Sequence, residues 1–249
     1  MLFRNTEQDR AFAFIRDIDF DIFCLQEVPG RFLKRLQTFP FHIEHTIDTE
    51  RGFSSTERLY LVILSRYPIK NQGVIPFPDY WPLLPLYSRL FIRLMPSRLF
   101  SKSRNRGGMY ADITIHDVLM RVFNLHLILM QPTWRLKEFE LAMVERNPSQ
   151  PTIVCGDFNI IESPRVSLLN WLHGGSPADT LLYRRERTHI EKRFVAHELV
   201  NPLRGETTHS FAGSQLDHIL VSHSFSIKNA SVLRDRIGSD HHPLRIEVT

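Results

Sequence analysis

Apolar and polar positions change period several times along the chain, and each change marks an element. In residues 5–18, NTEQDRAFAFIRDI, the residues Ala11, Ile15 and Ile18 fall on one helical face, with Phe12 and Phe14 flanking it. Asn5 followed by Gln8 fits a capping-box start. The next apolar run, DIFCLQ, is too short for a helix and predicts a buried strand. RFLKRLQTF predicts a second short helix, and LYLVILS and YADITI predict strands. VLMRVFNLHLIL has room for one long strand. TWRLKEFELAMVERN is helical, with Leu136, Phe139 and Met143 on its apolar side. PTIVCGDFN is a buried strand that ends in polar groups. SPRVSLLNWL reads as a helix with Ser163 as N-cap and Pro164 at the first position. LDHILVS, FSIKNASVL and LRIEVT are late strands. Strands and helices intermix throughout, with hairpin-like strand pairs. That pattern predicts α/β layers on a mixed sheet rather than a pure parallel βαβ series.

Three stretches break the pattern. Residues 76–106 carry five prolines and many aromatics, and no acid follows Asp79. Arg89 and Arg93 stand one helical turn apart, and Arg98, Lys102, Arg104 and Arg106 follow. The segment reads as an insertion with three roles open: a surface excursion packed by its own aromatics, a substrate-contacting element, or a membrane-surface helix. RRERTHIEKRF, residues 184–194, is a solvated helix face or a polyanion contact. In RNRGGMYADI, Gly107 and Gly108 permit a tight turn, and Arg106 or Tyr110 is placed to reach a phosphate.

Composition narrows the class. With 249 residues, 43% hydrophobic and 23% charged, the chain suits one large domain, 1–249, that buries its core without staples. The 31 Lys and Arg against 27 Asp and Glu leave +4, a weak hint of a polyanionic partner. Cys24 and Cys155 lie inside apolar runs and lack zinc-site spacing, so both read as core thiols of a reducing compartment. No run is long and apolar enough to span a bilayer, and the N-terminus becomes charged at once, unlike a secretory signal. A cytoplasmic monomer is the expectation.

The chemistry is carried by position. DIFCLQEV ends in Gln26 and Glu27, and TIVCGDFN ends in Asp157 and Asn159. FNLHLIL carries Asn124 and His126 inside an apolar strand. LDHILVS starts with Asp217, and IGSDHHPLRI places Ser239, Asp240 and His241 before a strand. In layered α/β proteins, sites gather at strand ends. If these ends meet, four carboxylates share a pocket with two histidines, and such a set needs a cation or trapped protons. Oxygen-rich donors favour a hard ion, Mg²⁺ or Mn²⁺, over zinc. Each piece alone has a plainer reading as a solvated acid, a turn or a loop cap; their joint placement points to a site.

CLQEV, NLHL, GDFN, LDHILVS and SDHHPL, in that order from Asp21 to Arg245, resemble the endonuclease/exonuclease/phosphatase superfamily. The resemblance implies a four-layer α/β sandwich, two mixed sheets face to face with helices outside, and Mg²⁺-dependent cleavage of phosphoester bonds. It implies that Glu27 holds the metal, with Asp240 a second candidate ligand. Asp157 would orient or deprotonate the attacking water, and Asn159 would contact the phosphoryl group. Asp240 would orient the imidazole of His241, which would contact the scissile phosphate or move protons. Asp217 matches the acid of the DxIL block, and His126 the histidine of the N-x-H block. Glu57 resembles an acid that supports this histidine. His242 falls where the family varies and reads as structural.

One departure stands out. Family members begin with a strand ending in Asn, and this chain shows no such strand; MLFRN resembles its tail or the loop after it, and Asn5 sits where a helix cap is expected. The expectation is a late start to the sequence; a chain truly this short would bind metal more weakly and leave a sheet edge open. Three functional readings follow. The first is an Mg²⁺-dependent hydrolase of phosphodiesters acting on nucleic acid or a nucleotide-like substrate, for which the basic 89–106 stretch supplies phosphate contacts. The second is a phospholipid or inositol-phosphate phosphodiesterase or phosphatase, which the aromatic 76–100 segment suits equally. The third is a non-catalytic binding module, which would not require Glu27, Asp157, Asn159, Asp240 and His241 together.

Overall fold

A computed structural model describes residues 5–52, 57–94, 103–129, 131–164 and 166–249; the start of MLFRN and Arg98 and Lys102 of the basic stretch lie outside them. The elements run α1 (Gln8–Asp17), β1 (Ile22–Pro29), α2 (Gly30–Leu36), β2 (His42–Arg51), β3 (Glu57–Ser65), β4 (Ile69–Pro76), α3 (Leu86–Leu94), β5 (Ser103–Arg104), β6 (Gly107–Ile115) and β7 (Val118–His126). They continue with α4 (Pro132–Val144), β8 (Thr152–Asp157), α5 (Leu168–Leu172), α6 (Pro177–Leu181), α7 (Arg184–Ala196), β9 (Leu199–Val200), β10 (Asp217–Ser222), β11 (Ile227–Val232) and β12 (Leu244–Val248). One sheet has the order β1-β3-β2-β5, and the other β4-β6-β7-β8-β10-β9, with β7 and β8 parallel and the other pairs antiparallel. A hairpin, β11-β12, stands apart from both.

The apolar strands are continuous because they are covered on both faces. In β3, Leu61 and Ile63 face the second sheet, against Met109, Ala111, Ile113 and Val122, while Val62 and Leu64 lie beneath α1 and α2 with Ile15, Phe32 and Leu36. In the second sheet, Phe123, Leu125 and Val154 pack outward against Phe139 of α4 and Ile190 and Phe194 of α7. Helix, sheet, sheet, helix gives the four layers of the expected sandwich. Two buried glycines let β6 sit close to its neighbours. A Cβ on Gly107 would lie 2.9 Å from the Ile75 carbonyl oxygen, and one on Gly108 would lie 2.7 Å from Leu125 Cδ2. The pair therefore serves strand packing and not the tight turn that its sequence suggested.

Two other local expectations change. Asn5 does not cap α1, whose N-cap is Glu7. Its amide instead donates to the Ile237 carbonyl at 2.7 Å, and its oxygen accepts the Glu7 N–H at 2.7 Å, tying the chain to the 237–238 loop. Ser163 and Pro164 precede a turn, not a helix. Val166 is drawn into a buried cluster with Ile161, Ala212 and Leu216, and helix begins only at Leu168. Among the described residues no strand joins β1 to β12. β1 pairs with β3 and β12 with β11. Both line a cavity of about 1090 Å³ whose walls include Ile22, Cys24, Ile153, Cys155, Ile246 and Val248.

Candidate functional site

The ends of three neighbouring strands align. His126 of β7 lies opposite Asp157 of β8, and Asp157 lies opposite Asp217 of β10. Directly opposed residues share a face, one strand spacing (about 5 Å) apart, so these side chains form a row across the sheet. The strands supply their apolar runs to the core and so hold the row in place. The facing sheet contributes through two β-bulges. One lies between Leu25 and Val28, the other between Ile47 and Thr49, and they flank the same level of β3. The first bulge places Glu27 at φ 53°, and its N–H donates to Asp48 Oδ2 at 3.0 Å. Bulges re-aim side chains that a regular ladder would send elsewhere. Here they bring Glu27 and Asp48 together as buried acids.

Asp48 then reaches across to the row: both of its oxygens lie 2.9 Å from His126 Nδ1. His126 Nε2 is 4.0 Å from Asp157 Oδ2. Arg106 is buried; it donates to the His126 carbonyl at 2.6 Å and pairs with buried Glu138, which accepts the Ile128 N–H at 2.7 Å. Arg106 therefore builds the backbone at His126 and does not reach for a phosphate. Tyr110 does not either, since its ring lies under Arg121, 4.0 Å from the guanidinium carbon. Asn124 links the sheets, donating to the Leu25 and Val62 carbonyls at 3.0 Å and accepting from Gln26 at 2.7 Å.

The 237–243 loop delivers the second histidine. Ser239 Oγ accepts the His241 N–H at 3.1 Å, and His241 Nδ1 sits 2.7 Å from Asp217 Oδ2. This corrects the expected pairing: Asp217, not the adjacent Asp240, orients the imidazole. Asp240 lies instead with His209 and His241, ligand atoms within 4.8 Å of one another. The His209 ring stands edge-on to His241 at 4.6 Å. Thr208 Oγ1 accepts the N–H groups of Leu216 and Asp217, each at 3.0 Å, and so fixes the start of β10. Asn159, at φ 53°, donates its N–H to Asp157 Oδ1 at 2.9 Å and its amide to the Leu127 carbonyl at 2.8 Å. His242 is structural: Nδ1 lies 3.0 Å from the Leu233 carbonyl and Nε2 3.0 Å from Ser210 Oγ. The acid supporting His126 is Asp48; Glu57 is exposed at the start of β3.

Burial and charge set the protonation states. Burial pushes the Asp157 carboxyl up to about 6, with nearby Asp217 adding to the rise and His241 opposing it. Burial alone would lower His241, but the Asp217 carboxylate prevails and its pKa is raised. For Asp217 burial acts upward, His241 outweighs it, and the pKa falls. His126 follows the same logic: burial disfavours its charge, yet Asp48 leaves it raised. Two histidines raised by their partner carboxylates thus face one carboxyl pushed up to about 6, the kind of perturbed set that marks active sites.

Among the described residues, Glu27 Oε2 and Asp157 Oδ2 are buried carboxylate oxygens of the site with no hydrogen-bond partner. Both residues lie near enough to His126 to raise its pKa. Buried lone pairs left unmatched fit a hard divalent cation. Glu27 offers one oxygen and gives the other to Arg51. The described residues group Asp240 with two histidines, and Glu27 belongs to no group of three candidate ligands.

Asp48, His209 and Thr208 were not found by sequence reasoning. Asp48 sits in HTIDTER, a half-polar strand with no apolar run to make an acid conspicuous. Only its bulge would mark it, and a bulge is a property of pairing.

A family model described as the Endonuclease/Exonuclease/phosphatase family matches residues 3–241. No curated protein matches the sequence. Among solved structures, an endonuclease/exonuclease/phosphatase from Beutenbergia cavernae superposes with TM-score 0.66 at 16% identity, over 97% of this chain and 65% of that one, so this chain spans just under two thirds of it. A mannosyl-6-phosphatase from Bacteroides thetaiotaomicron gives TM-score 0.60 at 18% identity, covering 98% of this chain and 90% of its own. The catalytic domain of human nocturnin with bound sulfate gives 0.57 at 15%, covering 98% and 85%. At these identities the likeness is one of fold.

Proposed function

Because the chain belongs to the endonuclease/exonuclease/phosphatase family, whose members hydrolyse phosphoesters, we propose that it is a divalent-metal-dependent phosphodiesterase of the nuclease type. The observation that carries this reading is the in-register row His126–Asp157–Asp217, closed by His241 on Asp217. Glu27 would hold Mg²⁺ or Mn²⁺ through Oε2, with Asp240 at the periphery beside His209. Such an ion neutralises charge that builds on a phosphoryl group. The chain's own residues do the rest. A phosphodiester is anionic and repels nucleophiles, and two histidines whose charged forms are favoured by paired carboxylates offset that charge. His241, with Nδ1 engaged by Asp217, presents Nε2 to a phosphate oxygen. His126, its charged form favoured by Asp48, acts from the other side of Asp157. Asp157, with a pKa of about 6, is mostly ionised at neutral pH and accepts a proton from water. Asn159, held by Asp157 and Leu127, is the amide placed to contact the phosphoryl group.

The test is hydrolysis of a chromogenic phosphodiester and its monoester analogue with Mg²⁺, with Mn²⁺ and with EDTA, beside Asp157→Ala and His241→Ala. Diester turnover lost in EDTA and in both variants supports the reading. Monoester preference moves the assignment to a phosphatase, and no turnover under any condition leaves a binding module. A second reading, a phospholipid or inositol-phosphate hydrolase, is favoured by the exposed leucines of α3.

A further inference from the structure

Helix α3 is turned the wrong way for a soluble surface. Its inward face is Ser88 and Ile92, both buried. Leu84, just before it, packs with Ile92 on Tyr80 and Ile128. Its outward face is a stripe of leucines. Leu86, Leu90 and Leu94 recur at helical spacing, with exposures from 53% at Leu90 to 81% at Leu86. Tyr87 extends the stripe sideways to Trp171 of α5: the rings are 5.7 Å apart and the Tyr87 hydroxyl donates to the Trp171 carbonyl at 3.3 Å. Single exposed leucines are ordinary, but a contiguous row with two amphipathic aromatics at its edge marks a contact surface.

Charge and size choose the occupant. No acid occurs from Tyr80 through Ala111, while Arg89 and Arg93 lie on α3 itself. The Arg89 guanidinium donates to the carbonyls of Leu84 and Pro82 at 2.9 and 2.7 Å, so these bonds hold it beside the stripe without neutralising it. Beyond Trp171, the exposed Leu181 and Leu182 are followed by exposed Arg184 and Arg185. A nine-residue helix is about 14 Å long, and its exposed face falls well short of the roughly 800 Å² per partner of a stable protein interface. Lipid needs no such area: a few leucines enter the acyl boundary, Tyr and Trp settle at the headgroup level, and arginines meet anionic headgroups. We infer that the α3 stripe, with Tyr87 and Trp171, docks the protein on an anionic membrane surface. The inference stands apart from the catalytic reading, because none of these side chains belongs to the site.

The probe is sedimentation of the full 249-residue chain with vesicles of phosphatidylcholine alone and of an equal mixture of phosphatidylcholine and phosphatidylglycerol. The mixed vesicles are expected to retain the protein, salt to weaken retention, and Leu86→Asp/Leu90→Asp to lower it roughly tenfold or more. Both leucines are exposed, so circular dichroism, melting temperature and turnover of a soluble diester stay unchanged in this variant. The inference is overturned by equal binding to both vesicles, by binding to neither, or by binding that the double substitution leaves intact. It is equally overturned if gel filtration without lipid shows a concentration-dependent dimer that the substitution abolishes, since the face would then belong to a second copy.

Discussion

His241 and Asp217 are 24 residues apart in sequence, yet Nδ1 of one lies 2.7 Å from Oδ2 of the other. Asp217 raises the His241 pKa, and His241 lowers that of Asp217. A raised histidine stabilises the fold below its unfolded pKa, about 6.5, and that stabilisation is lost as pH rises through the folded value. A lowered carboxylate stabilises above its unfolded pKa, about 3.9, and that stabilisation is lost as pH falls through the folded value. The pair therefore contributes most between about 4 and 6.5. In Asp217→Asn, NMR titration is expected to show the His241 pKa falling, and the alkaline limb of the activity profile moves to lower pH. An unmoved His241 titration would remove Asp217 from the positioning role.

Asp157 carries the opposite sign. Its carboxyl, pushed up to about 6 by burial, makes the fold less stable as pH rises from its unfolded value through 6. Without divalent ions, Asp157→Asn is expected to melt higher than the parent at pH 8, by roughly 1–3 kcal/mol, and to be inactive. Differential scanning calorimetry in EDTA at pH 5 and pH 8 checks this; a gain at pH 5 as large as at pH 8 would contradict the charge argument.

Asp48, fully buried, holds His126 Nδ1 at 2.9 Å. Asp48→Asn keeps the shape and removes the charge. Turnover is expected to fall about 100-fold with KM little changed, and the His126 pKa to drop. A KM effect without a kcat effect would mean that Asp48 serves only the packing around Glu27.

Gly156 precedes Asp157 at φ +147°, and a Cβ there would lie 1.8 Å from the Leu125 carbonyl oxygen. The parallel β7–β8 pairing that aligns His126 with Asp157 needs that closeness. Gly156→Ala is expected to cost about 4 kcal/mol or more, or to prevent folding, as read by urea denaturation.

Glu27 also has a left-handed backbone, at φ 53°. Glu27→Gly relieves this conformation while deleting the carboxylate. Calorimetric Mg²⁺ binding is expected to weaken at least tenfold, roughly 1.4 kcal/mol, with the fold retained by circular dichroism. Unchanged affinity would exclude Glu27 as a ligand.

The order and type of most elements were legible because burial on two faces writes long apolar runs, as in LYLVILS, and because one-sided helices write a period, as in Leu136, Phe139 and Met143. The site was legible as strand ends, since Glu27, His126, Asp157 and Asp217 interrupt such runs where the chain leaves the core. What the chain could not declare was which acid faces which histidine. Asp240 is adjacent to His241, but Asp217 is opposite it, because β10 lies beside β8 and the loop folds back over their ends. Asp48 acquires its role from a bulge, and a bulge exists only once two strands pair. Local chemistry is set by side-chain period and burial, which one segment records by itself. Partnership is set by register and sheet order, which arise only when segments distant in sequence close into one core.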